Sequence, residues 1–287
     1  EALADRTAGS MRAVILQFEH AGPGQTRNRL AAHARGRHLL LLNDDVLPEP
    51  DLLALHLRAH EQSRHAMVLG DAPWLTPPRG EDTLFDRLIR DTSMIFFYDR
   101  MRAQLAAGQV GDDHDWGFRH AWTLNLTLPR DVFESVGGFD ARLRFACYED
   151  IEFAYRVNQS TGAPVLFAPA AVAVHDHRIR PDDYLRREDM LGRAAWEFAA
   201  AAPQCAMAVF GRDIRSRDEL DYSRAFVARE SAAADRLRET LQSWSGVPAA
   251  AIDGPHQRPL LRALYEHHLL LKRWTWRRGL LQAAGTP

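Results

Sequence analysis

The feature that most constrains the fold is an alternation in the first half of the chain, where short apolar runs of β type are each followed by a stretch of helical pattern. RAVILQF (12–18), RHLLLLND (37–44), AMVLGDA (66–72) and WTLNLTL (122–128) read as strands. A glycine-rich turn and a short helix are predicted over 22–36, helices at 51–64, about 82–106 and 130–136, and another opens near Glu149. APVLFAP and AVAVHDH then read as two further strands. This order predicts an α/β protein with a mainly parallel sheet flanked by helices. RHLLLLND, apolar at successive positions, is expected to be buried on both faces. Beyond 181 the pattern is helical at 182–202, 217–243 and 258–283, with a Gly-Pro break at 246–255. The expected organisation is therefore a domain over 1–180 and a helical C-terminal extension over 181–287.

Composition excludes several classes. At 46% hydrophobic, 287 residues can bury a substantial core. The 36 basic and 38 acidic residues leave a net charge of −2, which gives no nucleic-acid footprint, so any anionic ligand must be held locally. Two cysteines, Cys147 and Cys205, cannot build a disulfide framework or a cysteine-based zinc site, and they point to a reducing compartment, the cytoplasm. No apolar run reaches the roughly 20 residues that span a bilayer, and EALADRTAGS lacks the order of a signal peptide. The last helix sets Trp274 and Trp276 among Lys272, Arg273, Arg277 and Arg278. It reads as a packing helix with a solvated basic edge, or else as a peripheral contact with the inner face of a membrane.

Three clusters fall at strand ends or loop-to-helix joints: Asp44 with Asp45, Glu149 with Asp150, and His175 with His177. Ligands of open α/β sheets gather at the carboxyl ends of strands, so residues far apart in sequence can converge there. A carboxylate and a histidine suit Mn²⁺ or Mg²⁺ beside a diphosphate, and a second carboxylate can serve as general base. Taken singly, each cluster also has a plain reading as a turn starter, a strand-end histidine or acids complementing a helix dipole. GPGQTRN sets glycines before a helix start, where backbone N–H groups can meet phosphate with Arg27 beside them. It has neither G-x-G-x-x-G nor Walker spacing. The absence of G-x-S-x-G, H-E-x-x-H and paired C-x-x-C removes the usual support for a serine hydrolase or zinc enzyme. Segment 108–122, rich in Gly, Asp, His and Trp, reads as a mobile surface loop. Trp74, Trp116 and Trp122 either offer stacking faces to a sugar ring or anchor the loops.

The order of these pieces resembles the inverting family 2 glycosyltransferases of GT-A fold. GPGQTRNRLAAHARGRHLLLLNDDVLPEP is similar to their Arg-Asn helix and DxD-type motif, and NLTLPRDVFESVGGFDARLRFACYEDIEFAYRV to their later segment, a match over roughly 12–180. The resemblance implies a metal-dependent, non-processive transfer of a sugar, hexosyltransferase in type, from a UDP-, GDP- or dTDP-sugar to a hydroxyl. That hydroxyl belongs to a glycan, a lipid-linked acceptor or a small molecule, as in cell-wall or polysaccharide biosynthesis; no QxxRW-like motif follows the histidines. It implies Asp150 as catalytic base, and Glu149, Asn125, Gly138 and Trp122 around the acceptor or donor sugar. Arg27, Asn28, Asn43 and Asp44 would face the nucleotide-sugar, and Asp45 and His175 would bind the metal, with His177 the lesser choice. Asn43 stands where many members carry the first Asp. Only residues 1–11 precede RAVILQF, and the chain opens on Glu1, so the family's initial βαβ unit is read as absent and the chain as a fragment that binds donor poorly. Two other readings stand beside this one: a degenerate sugar- or nucleotide-binding scaffold, and a nucleotidyltransferase, which would not need the Glu-Asp pair after GGFD.

Overall fold

The computed structural model describes residues 2–8, 11–78 and 80–285. β1 (Ala2–Ala8) and β2 (Met11–Leu16) pair antiparallel as a separate two-stranded sheet. RAVILQF is thus a strand as expected, but its partner is a strand that the sequence reading did not anticipate. α1 (Pro23–His33) leads into β3 (His38–Leu42), a turn at 43–45 and β4 (Val46–Pro48). Next come α2 (Leu52–Gln62), β5 (Met67–Asp71), α3 (Leu84–Asp91) and α4 (Tyr98–Ala106). The single helix expected at 82–106 is therefore two, separated by residues 92–97. β6 (Asn125–Pro129), α5 (Arg130–Ser135), α6 (Glu149–Thr161) and β7 (Val165–His175) complete the α/β part. Four helices follow: α7 (Pro181–Ala201), α8 (Pro203–Phe210), α9 (Arg217–Ser243) and α10 (Gln257–Ala283).

The α/β class stands, but the expectation of a mainly parallel sheet is corrected. The five strands lie in the order β3-β6-β5-β7-β4, and only β5 with β7 is parallel. β3, β5 and β7 do share one direction. β6 is wedged between β3 and β5 running the opposite way, and β4 turns back against β7. The reason lies in residues 72–124: they leave β5 at its carboxyl end and bring Asn125 back in beside Leu42, at that same end of the sheet. A segment that never crosses the sheet must return antiparallel.

Two further expectations change. β3 is a sheet edge, so its leucines alternate rather than being uniformly buried: Leu39 and Leu41 face the core while Leu42 is exposed. The two runs APVLFAP and AVAVHDH form one strand, β7, interrupted by a register shift opposite Gly70 and Asp71. Pro169, which cannot donate to a ladder, is exposed within that irregular stretch.

Three apolar clusters tie the molecule together. The sheet core includes Leu126, Leu128, Phe153 and Phe167. A second joins Leu84, Phe85 and Leu88 of α3 to Tyr184, Phe226 and Trp274 of the later helices. A third joins Leu143 to Phe198, Ile214 and Leu280. α7 and α10 cross closely, because a side chain at Gly192 would strike the Trp276 carbonyl and one at Gly279 the Asp189 carbonyl.

Candidate active site

The site is assembled at the carboxyl end of β3, where the chain turns through Asn43, Asp44 and Asp45. Asn43 Oδ1 accepts from Arg27 Nη2 at 3.0 Å, and Arg27 Nη1 donates to Glu149 Oε1 at 2.9 Å. One guanidinium thus bridges the β3 turn to the start of α6, and both Arg27 and Glu149 are nearly buried. Burial and the neighbouring Asp150 push Glu149 up to about 7 against the pull of Arg27. Asp150 is also raised above the usual carboxylate range by burial, with Arg27 and the Ile151 N–H acting the other way. A raised carboxyl near neutral pH is what general-base catalysis uses.

On the other side of the turn, pairing of Val46 with His175 carries Asp45 to the histidine. His175 Nε2 lies 3.2 Å from Asp45 Oδ2, and His177 Nδ1 lies 3.5 Å from the same oxygen. His175 is buried and stacks on Trp74 at 4.1 Å, whereas His177 is half exposed. Burial lowers His175, which favours the neutral imidazole that can ligate a metal. Asp45 Oδ1 and His175 Nδ1 are buried without a hydrogen-bond partner. Among the described residues no group of three or more His, Cys, Asp or Glu is arranged to hold an ion. The donor set of Asp45 and His175 therefore fits a hard divalent ion that takes its remaining ligands from phosphate and water, and does not fit an all-protein cage.

The remaining expected residues divide. Asp44 is exposed on the turn, open to solvent and ligand. Asn28 is engaged by the fold: it donates to the Phe139 carbonyl and accepts from the Phe139 N–H, both at 2.8 Å, so it clamps the GGFD turn. Gly138 (φ +70°) packs against that amide, and any side chain there would displace it. Asn125 is placed in the core. It is wholly buried, its amide donating to the Asp71 and Ala171 carbonyls at 3.0 and 2.9 Å while Oδ1 meets His56 Nε2 at 2.8 Å, so it fastens the β5–β7 register shift. Trp122 is buried among Phe96, Tyr98 and His120 and offers no free stacking face. Segment 108–122 is pinned in part: Trp116 and Phe118 pack on the core, and Asp115 accepts from the Val165 N–H at 2.8 Å.

The structure adds residues that the sequence reading passed over. Asp71 ends β5 in a salt bridge to Arg102 at 2.7 Å, and a carboxylate at a strand end was the available signal. Tyr148, immediately before Glu149, has φ +67°, the only left-handed non-glycine among the described residues. That conformation costs about 1–3 kcal/mol, and no sequence signal marks a tyrosine for it.

A mixed α/β sheet thus gathers an arginine, paired carboxylates and a histidine at one end. Residues 1–126 match the sequence model of Glycosyl transferase family 2. Arg27, Asn43 and Asp45 lie within the matched segment, and Glu149, Asp150 and His175 lie beyond it. No curated protein matches the chain. Among solved structures, S. aureus TarS aligns at 12% identity over 92% of this chain and 43% of that one, with a TM-score of 0.38. TarS 1–349 in complex with UDP aligns at 12% identity over 93% and 73%, TM-score 0.40. Its complex with UDP-GlcNAc aligns at 13% over 94% and 74%, TM-score 0.37. The chain spans less than half the length of the longer TarS structure.

Proposed function

We propose that this chain carries the catalytic residues of an inverting glycosyltransferase that moves a sugar from a nucleoside-diphosphate sugar to a hydroxyl acceptor. The observation that supports this most is the juxtaposition, on either side of one turn, of the Arg27–Glu149–Asp150 group and the Asp45–His175 pair. Asp150 takes the proton from the acceptor hydroxyl; the oxygen attacks the anomeric carbon as the bond to the diphosphate breaks, and the electron pair leaves on the diphosphate. Glu149, held by Arg27, fixes the start of α6 beside the base. Asp45 and His175 would hold a Mn²⁺ or Mg²⁺ ion, which when bound offsets the charge of the leaving diphosphate. UDP is the first nucleotide to test, since the TarS complexes contain UDP and UDP-GlcNAc.

The test is a donor screen that reads released nucleoside diphosphate against candidate acceptors. Asp150→Asn should abolish transfer while UDP binding by calorimetry stays within a few-fold, and near-normal turnover by that variant would remove Asp150 from the base role. For His175→Ala the Mn²⁺ concentration needed for half-maximal activity should rise, and an unchanged titration would count against ligation. Asn43, which adds no charge and is bonded to Arg27, favours a second reading, a sugar- or nucleotide-binding module without turnover. Retained UDP binding with no released diphosphate for any donor would support it.

A further inference from the structure

We propose that Tyr148 is a positioning residue, held by the C-terminal helices, that aims the Glu149–Asp150 pair; this rests on the catalytic reading given above. Tyr148 precedes α6 at φ +67° and ψ −11°, so its backbone sets the direction in which the helix and its two acids begin. Glycine would adopt this conformation without strain, so a tyrosine here must supply something through its side chain. Its ring stacks on Phe198 of α7 at 4.9 Å, with the planes only 4° apart. Its hydroxyl donates to the Leu191 carbonyl of α7 at 3.3 Å and accepts from Trp276 Nε1 of α10 at 3.3 Å. Phe198 is fully buried, and the Trp276 backbone is pressed against Gly192, so the two helices that grip the ring are themselves locked together. α7 also brings Arg187 close enough for its charge to act on Asp150. A link runs from the α7–α10 crossing through Trp276 and Tyr148 to the candidate base. On this account the helical extension is part of the catalytic machinery, although it supplies no group that touches the reacting atoms.

Tyr148→Phe keeps the stacked ring and removes both bonds of the hydroxyl, and Trp276→Phe keeps an aromatic side chain and removes the indole donor, so both should fold. Each should lower kcat about ten-fold, leave KM for donor and UDP binding within two-fold, and displace the acid limb of the pH profile. The double variant should be no worse than Tyr148→Phe alone, because that change already removes the bond Trp276 makes. Additive losses, or variants with the turnover and pH profile of the unmodified chain, would overturn the proposal. A second measurement does not need turnover: the ¹³C carboxyl titration of Asp150 should move in the same direction in both variants, and an unmoved midpoint rejects positioning. Asp150→Asn run in parallel separates the two ideas. If it turns over normally the base assignment fails; if it is inactive while Tyr148→Phe and Trp276→Phe behave as the unmodified chain, the positioning role alone fails.

Discussion

At the scale of single residues, the interior is set by polar groups whose partners leave them no freedom. Asn125 donates twice to carbonyls, so its Oδ1 must accept, and His56 must carry its proton on Nε2. His56 Nδ1 then accepts from the Thr127 hydroxyl, whose oxygen accepts from His60 Nε2. Both imidazoles are neutral in this chain of bonds, consistent with burial lowering His56 and bringing His60 down to about 4. Asn125→Ala would strand His56 and two carbonyls, and should destabilise the fold by about 3 kcal/mol or more, read from urea unfolding. Asp44→Ala, on the exposed turn, should leave stability unchanged in the same measurement. Glu149 makes a pH prediction. Its acid is raised from 4.5 to about 7, so between those values the folded protein holds a proton that the unfolded chain has lost. Its contribution to stability is full below pH 4.5 and falls as pH rises through 7. The stability difference between the unmodified chain and Glu149→Gln should therefore shift against the unmodified chain from pH 5 to pH 7.5, and a flat difference would show that Glu149 titrates normally.

At the scale of elements, the site exists because three connections meet at one end of the sheet. The β3–β4 turn presents Asn43 and Asp45, α1 reaches across with Arg27, and β7 delivers His175 opposite Val46. Each element was readable locally, from glycines and a proline before α1, an apolar run closed by prolines, and acids opening α6. The reversed β6 and the single long β7 were not readable, because strand direction and continuity depend on where the chain returns, and local periodicity carries no record of that. Asn125 illustrates the same limit: a strand-end amide looks identical in sequence whether it faces a ligand or fastens a bulge. The α7–α10 crossing gives an element-scale test. Gly192→Ala would drive a methyl into the Trp276 carbonyl and should cost about 1–3 kcal/mol in a thermal melt. Gly246→Ala, with open space around it, should melt like the unmodified chain.

At the scale of the molecule, the later helices are bound into the α/β part by the cores they share. α3 contributes Leu84, Phe85 and Leu88 to the cluster of Tyr184 and Trp274, and Leu143 packs with Phe198 and Leu280. We therefore expect 1–287 to unfold in one calorimetric transition with van't Hoff and calorimetric enthalpies equal, and two resolved transitions would show that 1–180 and 181–287 are independent. None of the described helices is long and apolar enough to cross a membrane. Trp274 and Trp276 of the basic last helix are turned inward: Trp274 donates to the Val227 carbonyl at 2.9 Å, and Trp276 donates to Tyr148. By itself the sequence determined the α/β class, most of the elements, the family resemblance and the residues that carry charge at strand ends, since those follow from local pattern and spacing. Only the tertiary structure decided which of these residues face one another. It joined Arg27 to Glu149 and Asp45 to His175, engaged Asn28 in clamping the Phe139 backbone, buried Asn125 and Trp122, and bound the strained Tyr148 to two helices that begin more than thirty residues later. The physical reason is that desolvation, pairing and strain belong to contacts between distant segments, and no single segment contains them.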